Sequence, residues 1–153
     1  MQTIKTLGLT EARTAGEAVI NKAIADGERP VAVAVCGRTG DLIYFAKMDG
    51  TLPVAERMAI NKAYTAAFWG TDTEELMERM RTRGRQLEWY GGDPRRETGI
   101  PGGAPVKSSE GIVVGGIGVG GKLGDDPNDT VKDADLARIG VKAIHLEMTS
   151  EQT

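Results

Sequence analysis

The chain has 153 residues, of which 40% are hydrophobic and 27% are charged, and its formal net charge is −3. This composition fits a single globular domain over residues 1–153. The slight negative charge disfavours nucleic acid as a partner, because duplex binding depends on clustered Lys and Arg. The N-terminus lacks the apolar core of a signal peptide, and no apolar run reaches the roughly 20 residues that cross a bilayer, so we expect a cytoplasmic protein with no membrane partner.

The first half of the chain predicts a helix, a β-hairpin and a second helix. Thr10 is the expected cap of the first helix, and Gly27 ends it. The apolar run at residues 31–36 indicates a strand that is covered on both faces, and a glycine-containing turn joins it to a second strand at residues 42–48. A proline in the first turn favours a second helix at residues 53–69.

The second half predicts two more helices and a second hairpin. Its elements are a helix capped by Thr71 or Thr73, a loop at residues 89–105, strands at 106–108 and 112–119, and a last helix capped by Asn128 or Asp129 with Met148 on its inner face. A loop of this length inside a compact domain is often functional. The order of elements predicts an α+β fold, in which helices pack on an antiparallel sheet.

The last predicted strand alternates glycine with β-branched residues over residues 115–121. A dinucleotide-binding glycine loop follows the first strand and opens directly into a helix. The present glycines lie within a strand instead, several residues before the last helix. One face of this strand is therefore bare, so that a helix or a ligand can lie against its backbone, and Gly118 is a candidate ligand-binding residue.

Lys62 interrupts a narrow face of the second helix that is otherwise lined with alanines. A lysine in this position either extends outward along its stem or meets an anion. If it is desolvated, it can serve as a base or as an anion holder. Asp49, Glu56 and Glu110 are carboxylates that could partner it.

The remaining reactive side chains favour no familiar catalytic set. Cys36 lies within the apolar strand, and we expect it to be buried and unreactive. With His145 as the single histidine, neither a hydrolytic triad nor a closed Cys/His zinc site is expected. Trp89 and Tyr90 in the long loop could close over a ligand or stack against a neighbouring subunit, and a solvated loop tip is the alternative.

Several segments occur together in a specific order, namely residues 31–50, 62–66 with Phe68, 101–106, 115–121 and 133–140. Together they resemble the GlcG/HbpS-type family over nearly the whole chain. The resemblance implies a profilin-like α+β domain and a homo-oligomer. It also implies a link to haem, because some members bind or degrade haem, whereas others act with sensor proteins or lie beside catabolic genes. Gly37, Gly116 and Gly120 depart from the family pattern, which has an acidic residue, Ala and Ser at these positions.

The resemblance makes haem the possible cofactor and a small molecule the expected partner. The expected ligand-binding residues are Met48, Gly50, Arg57, Thr65, Tyr90, Gly103, Pro105, Glu110 and Gly118. Lys62 or Arg57 would pair with the propionates. The donor atoms considered for the iron belong to His145, Met48, Cys36 and Tyr90.

Three functional hypotheses follow. The first is a ligand-binding protein that is accessory to a catabolic or redox-sensing system. The second is a small lyase or isomerase that uses the same pocket, with Lys62, Asp49 and Glu56 as catalytic residues. The third is a purely structural oligomer subunit, in which the alanine-lined helix and the glycine-rich strand are interfaces; a tightly packed oligomer with no cavity near Lys62 would favour it.

Overall fold

The structure is a computed structural model that describes the backbone of residues 1–151 and the side chains of residues 1–145. Met148, expected to face inward, therefore lies outside the described side chains. The elements are α1 (Leu9–Asp26), β1 (Ala32–Gly37), β2 (Leu42–Lys47), α2 (Pro53–Trp69), α3 (Thr73–Arg83), a 3₁₀ turn (Leu87–Tyr90), β3 (Gly103–Lys107), β4 (Val113–Gly120) and α4 (Asp133–Glu151). None of these helices combines the length and apolar character of a transmembrane span.

The four strands form one antiparallel sheet in the order β2-β1-β4-β3. Helices α1 and α4 pack on one face of the sheet, and α2 packs on the other. The central strand β1 is buried along its whole length, as its continuous apolar sequence predicts. The predicted α+β architecture is thus confirmed.

Alternation along β1 and β4 gives the two faces of the sheet different cores. Towards α1 and α4, large side chains such as Val33, Ile117 and Val119 pack with Leu136 and Ile144. Towards α2, the core consists mostly of alanines, including Ala34 of β1 and Ala59 and Ala63 of α2. Helix α2 therefore lies very close to the sheet.

The glycines of β4 permit this close approach. A Cβ atom added at Gly116, Gly118 or Gly120 would lie 2.3, 2.0 or 2.5 Å from a backbone carbonyl oxygen of α2. These distances are shorter than any van der Waals contact, so only glycine fits under the helix. The bare strand face is thus covered by a helix of the same chain.

Three helix starts differ from the sequence expectation. Helix α1 begins after Gly8, whose N–H donates to the Glu11 carboxylate, and not at a Thr10 cap. Asp72, rather than Thr71 or Thr73, precedes α3.

Helix α4 begins at Asp133 rather than after Asn128 or Asp129. The carboxylate of Asp129 instead accepts the N–H of Leu123 at 2.8 Å, so it fixes the loop and does not cap a helix.

The long loop is shorter than predicted, because Gly103 and Pro105 belong to β3. This strand lies at the edge of the sheet, where one side of the backbone makes no ladder hydrogen bonds and proline is tolerated.

Candidate functional site

A cavity of about 280 Å³ lies beside the N-terminal half of α2, where the segment after β4 meets the first turn of α4. Its apolar lining consists of Pro30, Leu52, Val54, Met58, Ile100 and Leu123, and its charged lining of Arg29, Lys62, Lys122 and Asp133. Small-molecule sites typically measure roughly 300–1,000 Å³ and combine an apolar lining with a few polar groups. The cavity lies just below this range.

The buried charged groups of the lining are Lys62, Lys122 and Asp133, whereas its largest exposed side chains are apolar. Lys62 is 2% exposed, whereas Leu52 and Val54 are 61% and 63% exposed. A ligand that enters the cavity therefore meets apolar side chains first and the charged groups last.

Lys62 and Asp133 form a buried ion pair at this inner end. The Nζ atom of Lys62 lies 3.0 Å from Oδ2 of Asp133, and it also donates a hydrogen bond to the carbonyl oxygen of Val119 at 2.8 Å. The second carboxylate oxygen, Oδ1, accepts the N–H of Lys122 at 3.1 Å. Of the two alternatives for Lys62, the structure therefore shows the one in which the ammonium meets an anion, and the side chain does not extend outward.

Burial raises the pKa of the Asp133 carboxyl above its ordinary value, while the charge and hydrogen bond of Lys62 oppose this rise. Both carboxylate oxygens accept hydrogen bonds, and the donor of one of these bonds is an ammonium group. We therefore assign Asp133 as ionised. The pair is electrically neutral as a unit, which is what permits its burial.

A second charged cluster fixes the chain segment that follows β4. Lys122 donates to Glu28 at 3.0 Å, and Glu28 also accepts the hydroxyl of Thr130 and the N–H of Val131. Hydrogen bonds from Thr130, Lys122 and Val131 lower the pKa of Glu28 to about 2. The wall of the cavity is therefore tied to the residues that precede β1.

Arg29 extends the same cluster. It donates to Asp126 at 3.1 Å and to Asp129 at 3.3 Å. Every cation that lines the cavity is therefore already paired with a carboxylate.

Comparison with known proteins identifies the family of this chain. The family model described as haem degrading protein HbpS-like matches residues 7–136. The chain belongs to this family. No curated protein matches it.

Solved structures resemble this HbpS-like chain over most of its length. A double mutant of HbpS from Streptomyces reticuli is 31% identical, with 93% of this chain and 89% of that chain covered and a TM-score of 0.77. Protein ORFY of Klebsiella pneumoniae is 24% identical, with 95% and 94% covered and a TM-score of 0.79. PduOC, solved in complex with haem, is 24% identical, with 90% and 94% covered and a TM-score of 0.73. At 24% identity, the last two show the fold alone.

Of the predicted site residues, Lys62 and Gly50 line the cavity. Gly50 adopts a φ of 84° in the turn before α2, and the neighbouring Asp49 is exposed. Met48 packs against the start of β1 instead, where its Sδ atom accepts the N–H of Val31 at 3.4 Å.

Three other predicted residues lie between α2 and the sheet or at its edge. Gly118 is covered by Ala59, as described above. The N–H of Gly103 donates to the hydroxyl of Thr73 at 2.9 Å. Pro105 is half-buried in β3 and does not line the cavity.

Thr65 is also buried outside the cavity. Its hydroxyl donates to the carbonyl oxygen of Asn61 and accepts the N–H of Thr98 at 3.0 Å, so it anchors the loop that precedes β3.

The carboxylates expected to partner Lys62 are paired elsewhere. Glu56 forms an ion pair with Lys47 at 2.9 Å, and Glu110 lies 3.9 Å from Lys5 on the surface. Asp133 takes their place.

Arg57 and Tyr90 are exposed. Tyr90 packs edge-on against Trp69, and its hydroxyl accepts a hydrogen bond from Arg85 at 2.9 Å. Cys36 is buried as predicted; its thiol lies 3.3 Å from the carbonyl oxygen of Ala63, and burial raises the pKa of the thiol to about 12.

Sequence reasoning missed Asp133 and Met58. Asp133 stood within one of the segments that resemble the family, but no spacing rule connects it to Lys62, which is 71 residues away. Met58 lies one helical turn before Lys62 on α2, and this i, i+4 relation was the available signal that both side chains share a helix face.

Proposed function

We propose that this HbpS-like chain binds a small, largely apolar ligand in the Lys62 cavity, and that haem is the leading candidate. The proposal rests on one observation: a cavity with an apolar mouth and a buried polar end lies beside α2. The presence of this cavity also argues against the purely structural hypothesis, which the absence of a cavity near Lys62 would have favoured.

The donor chemistry of the cavity fits haem in one respect that can be tested. Met58 lines the cavity, and a methionine thioether is an established axial ligand of haem iron. The apolar side chains at the mouth would cover part of the macrocycle. When bound, haem would supply a redox-active iron at this position.

The size of the cavity limits how haem would bind. Pockets bury most of a ligand's surface, and about 280 Å³ would enclose only one edge of a porphyrin. The propionates would then remain outside the cavity, and Arg57, which is exposed on the same helix next to Met58 in the sequence, is a cation that would be available to pair with them. Lys62 is already neutralised by Asp133, so it is the weaker candidate for this pairing.

The test is a titration of the whole chain with hemin, read by absorbance, on the wild type and on Met58→Ala. We expect saturable one-to-one binding with a shifted Soret band, and an altered band or weaker binding in Met58→Ala. Met48→Ala is the matched control, because Met48 is half-buried outside the cavity, and His145→Ala tests the single histidine. Weak binding that is insensitive to all three substitutions would contradict the haem assignment.

We also propose that the chain forms a homo-oligomer in the cytoplasm and is accessory to a catabolic or redox-sensing system. Exposed apolar side chains on the outer face of α2 support the oligomer, because Ile60 and Phe68 are 36% and 57% exposed. Light scattering on the purified protein tests this point; a monomer at micromolar concentration would contradict it.

A further inference from the structure

The ammonium group of Lys62 has one hydrogen-bond donor to spare. A lysine ammonium has three N–H donors, and two of them are engaged by Val119 and Asp133. Within the described residues, the third has no protein acceptor. Because Lys62 lines the cavity and is almost fully buried, an oxygen atom of a bound ligand can accept this hydrogen bond.

The surrounding charges determine what kind of oxygen this can be. Three cations lie at the inner end and wall of the cavity: Lys62, Lys122 and Arg29. They pair with four carboxylates: Asp133, Glu28, Asp129 and Asp126. These seven groups sum to one negative charge, which is offset by the ammonium of Lys132, because it donates to the carbonyl oxygen of Asp129 at 2.7 Å. Each cation that lines the cavity is already paired, so a ligand carboxylate or phosphate at this end would gain no free cation, and it would lie beside the ionised Asp133 after losing its own water.

We propose that the inner end of the cavity recognises an uncharged carbonyl oxygen on an apolar body and rejects an anionic group there. Lys62 donates the recognising hydrogen bond, and Asp133 is the positioning residue that holds the ammonium and cancels its charge. This inference rests on the proposed ligand-binding role of the cavity, although it does not require that the ligand be haem.

Two probes of the same ring size test the preference on the whole chain. Cyclohexanone presents one uncharged carbonyl, and cyclohexanecarboxylate presents an anion on the same apolar ring. Each is titrated into the ¹⁵N-labelled protein, and the backbone amide of Lys122, which donates to Asp133, is the reporter. We expect a saturable shift with the ketone and binding weaker by about tenfold or more for the carboxylate, because the anion is desolvated without a free cation.

A charge substitution should reverse this order. Asp133→Asn removes the counter-charge of Lys62, so the carboxylate should now bind more tightly than the ketone. Asp125→Asn is the matched control: it removes the same charge from an exposed position in the neighbouring loop and should leave the preference unchanged.

Each outcome bears on the proposal. A carboxylate that binds the wild type as tightly as the ketone, or a ketone that leaves the Lys122 amide unshifted, would overturn it. These wild-type measurements remain decisive even if Asp133→Asn does not fold. If hemin fails to bind while the ketone preference is found, the haem assignment falls and this inference stands. If hemin binding depends on Met58 but no ketone preference is found, the haem assignment stands and this inference falls.

Discussion

Replacing Gly118 with alanine should destabilise the protein strongly, because this position lies directly under helix α2. The added Cβ would lie 2.0 Å from the carbonyl oxygen of Ala59 and 2.5 Å from the N atom of Ala63. Both atoms are backbone and cannot turn aside as the end of a side chain can. The φ angle at Gly118 is not left-handed, so the expected loss arises from this overlap and not from backbone strain.

The magnitude follows from known costs of overpacking. Extra atoms in a packed core cost about 1–3 kcal/mol, and the loss of unfolded-state entropy on replacing glycine returns only about 0.4–1 kcal/mol. Because both overlaps involve backbone atoms, the cost should lie at the upper end of this range, and we expect a net loss of about 2 kcal/mol in the free energy of unfolding. For a domain of this size, this corresponds to a decrease in Tm of about 4–8 °C.

Urea unfolding of Gly118→Ala and of the control Gly124→Ala measures this difference. Gly124 is exposed, and an added Cβ there meets no atom within 4 Å, so its substitution should be neutral or stabilise by about 0.4–1 kcal/mol. If the two variants unfold within about 0.5 kcal/mol of each other, the close approach of α2 to β4 is refuted. The assignment of Gly118 to packing rather than to ligand contact would fall with it.

Three further predictions concern buried charge and reactivity. Lys62→Met should lose about 3–5 kcal/mol in urea unfolding because Asp133 is left buried without its partner, whereas Lys107→Met, at an exposed position, should change the free energy of unfolding by less than about 0.5 kcal/mol. The Cys36 thiol, buried and with its pKa raised to about 12, should not react with a disulfide reagent at pH 8 until urea unfolds the protein; rapid reaction of the folded protein would contradict this. The pKa of Glu28 is lowered from 4.5 to about 2, so its ionised form stabilises the folded state fully above pH 4.5 and this stabilisation is lost as the pH falls towards 2. The difference in Tm between the wild type and Glu28→Gln should therefore shrink between pH 7 and pH 2, and an equal difference at both values would show that the charge of Glu28 is not responsible.

Local signals were sufficient for most of the secondary structure. Helices α1 and α2 end at Gly27 and Gly70, both with left-handed φ, where the sequence predicts their ends. The predicted start of α4 was wrong because Asp129 has the chemistry of a helix cap but uses its carboxylate for Leu123 and Arg29. Local sequence cannot reveal that competition.

The site was harder to predict than the fold. The sequence singled out Lys62 but left two alternatives, an outward-extended side chain or one that meets an anion, and its actual partner depends on how α4 docks beside α2. Several carboxylates were equally plausible from the sequence, and only the tertiary arrangement selects Asp133. The lyase or isomerase hypothesis stays a prediction, although the carboxylate next to Lys62 is that of Asp133 and not that of Asp49 or Glu56.

The packing of α2 on the β4 glycines also constrains how this protein can change its specificity. Backbone lies against backbone there, so a substitution on either side cannot be absorbed by a new rotamer and must move the helix as a rigid rod. Because α2 holds both Met58 and Lys62, such a movement would displace the inner end of the cavity. Leu52, Ile100 and Leu123 lie outside this contact, and a redesign for a new ligand should begin with these three side chains at the mouth.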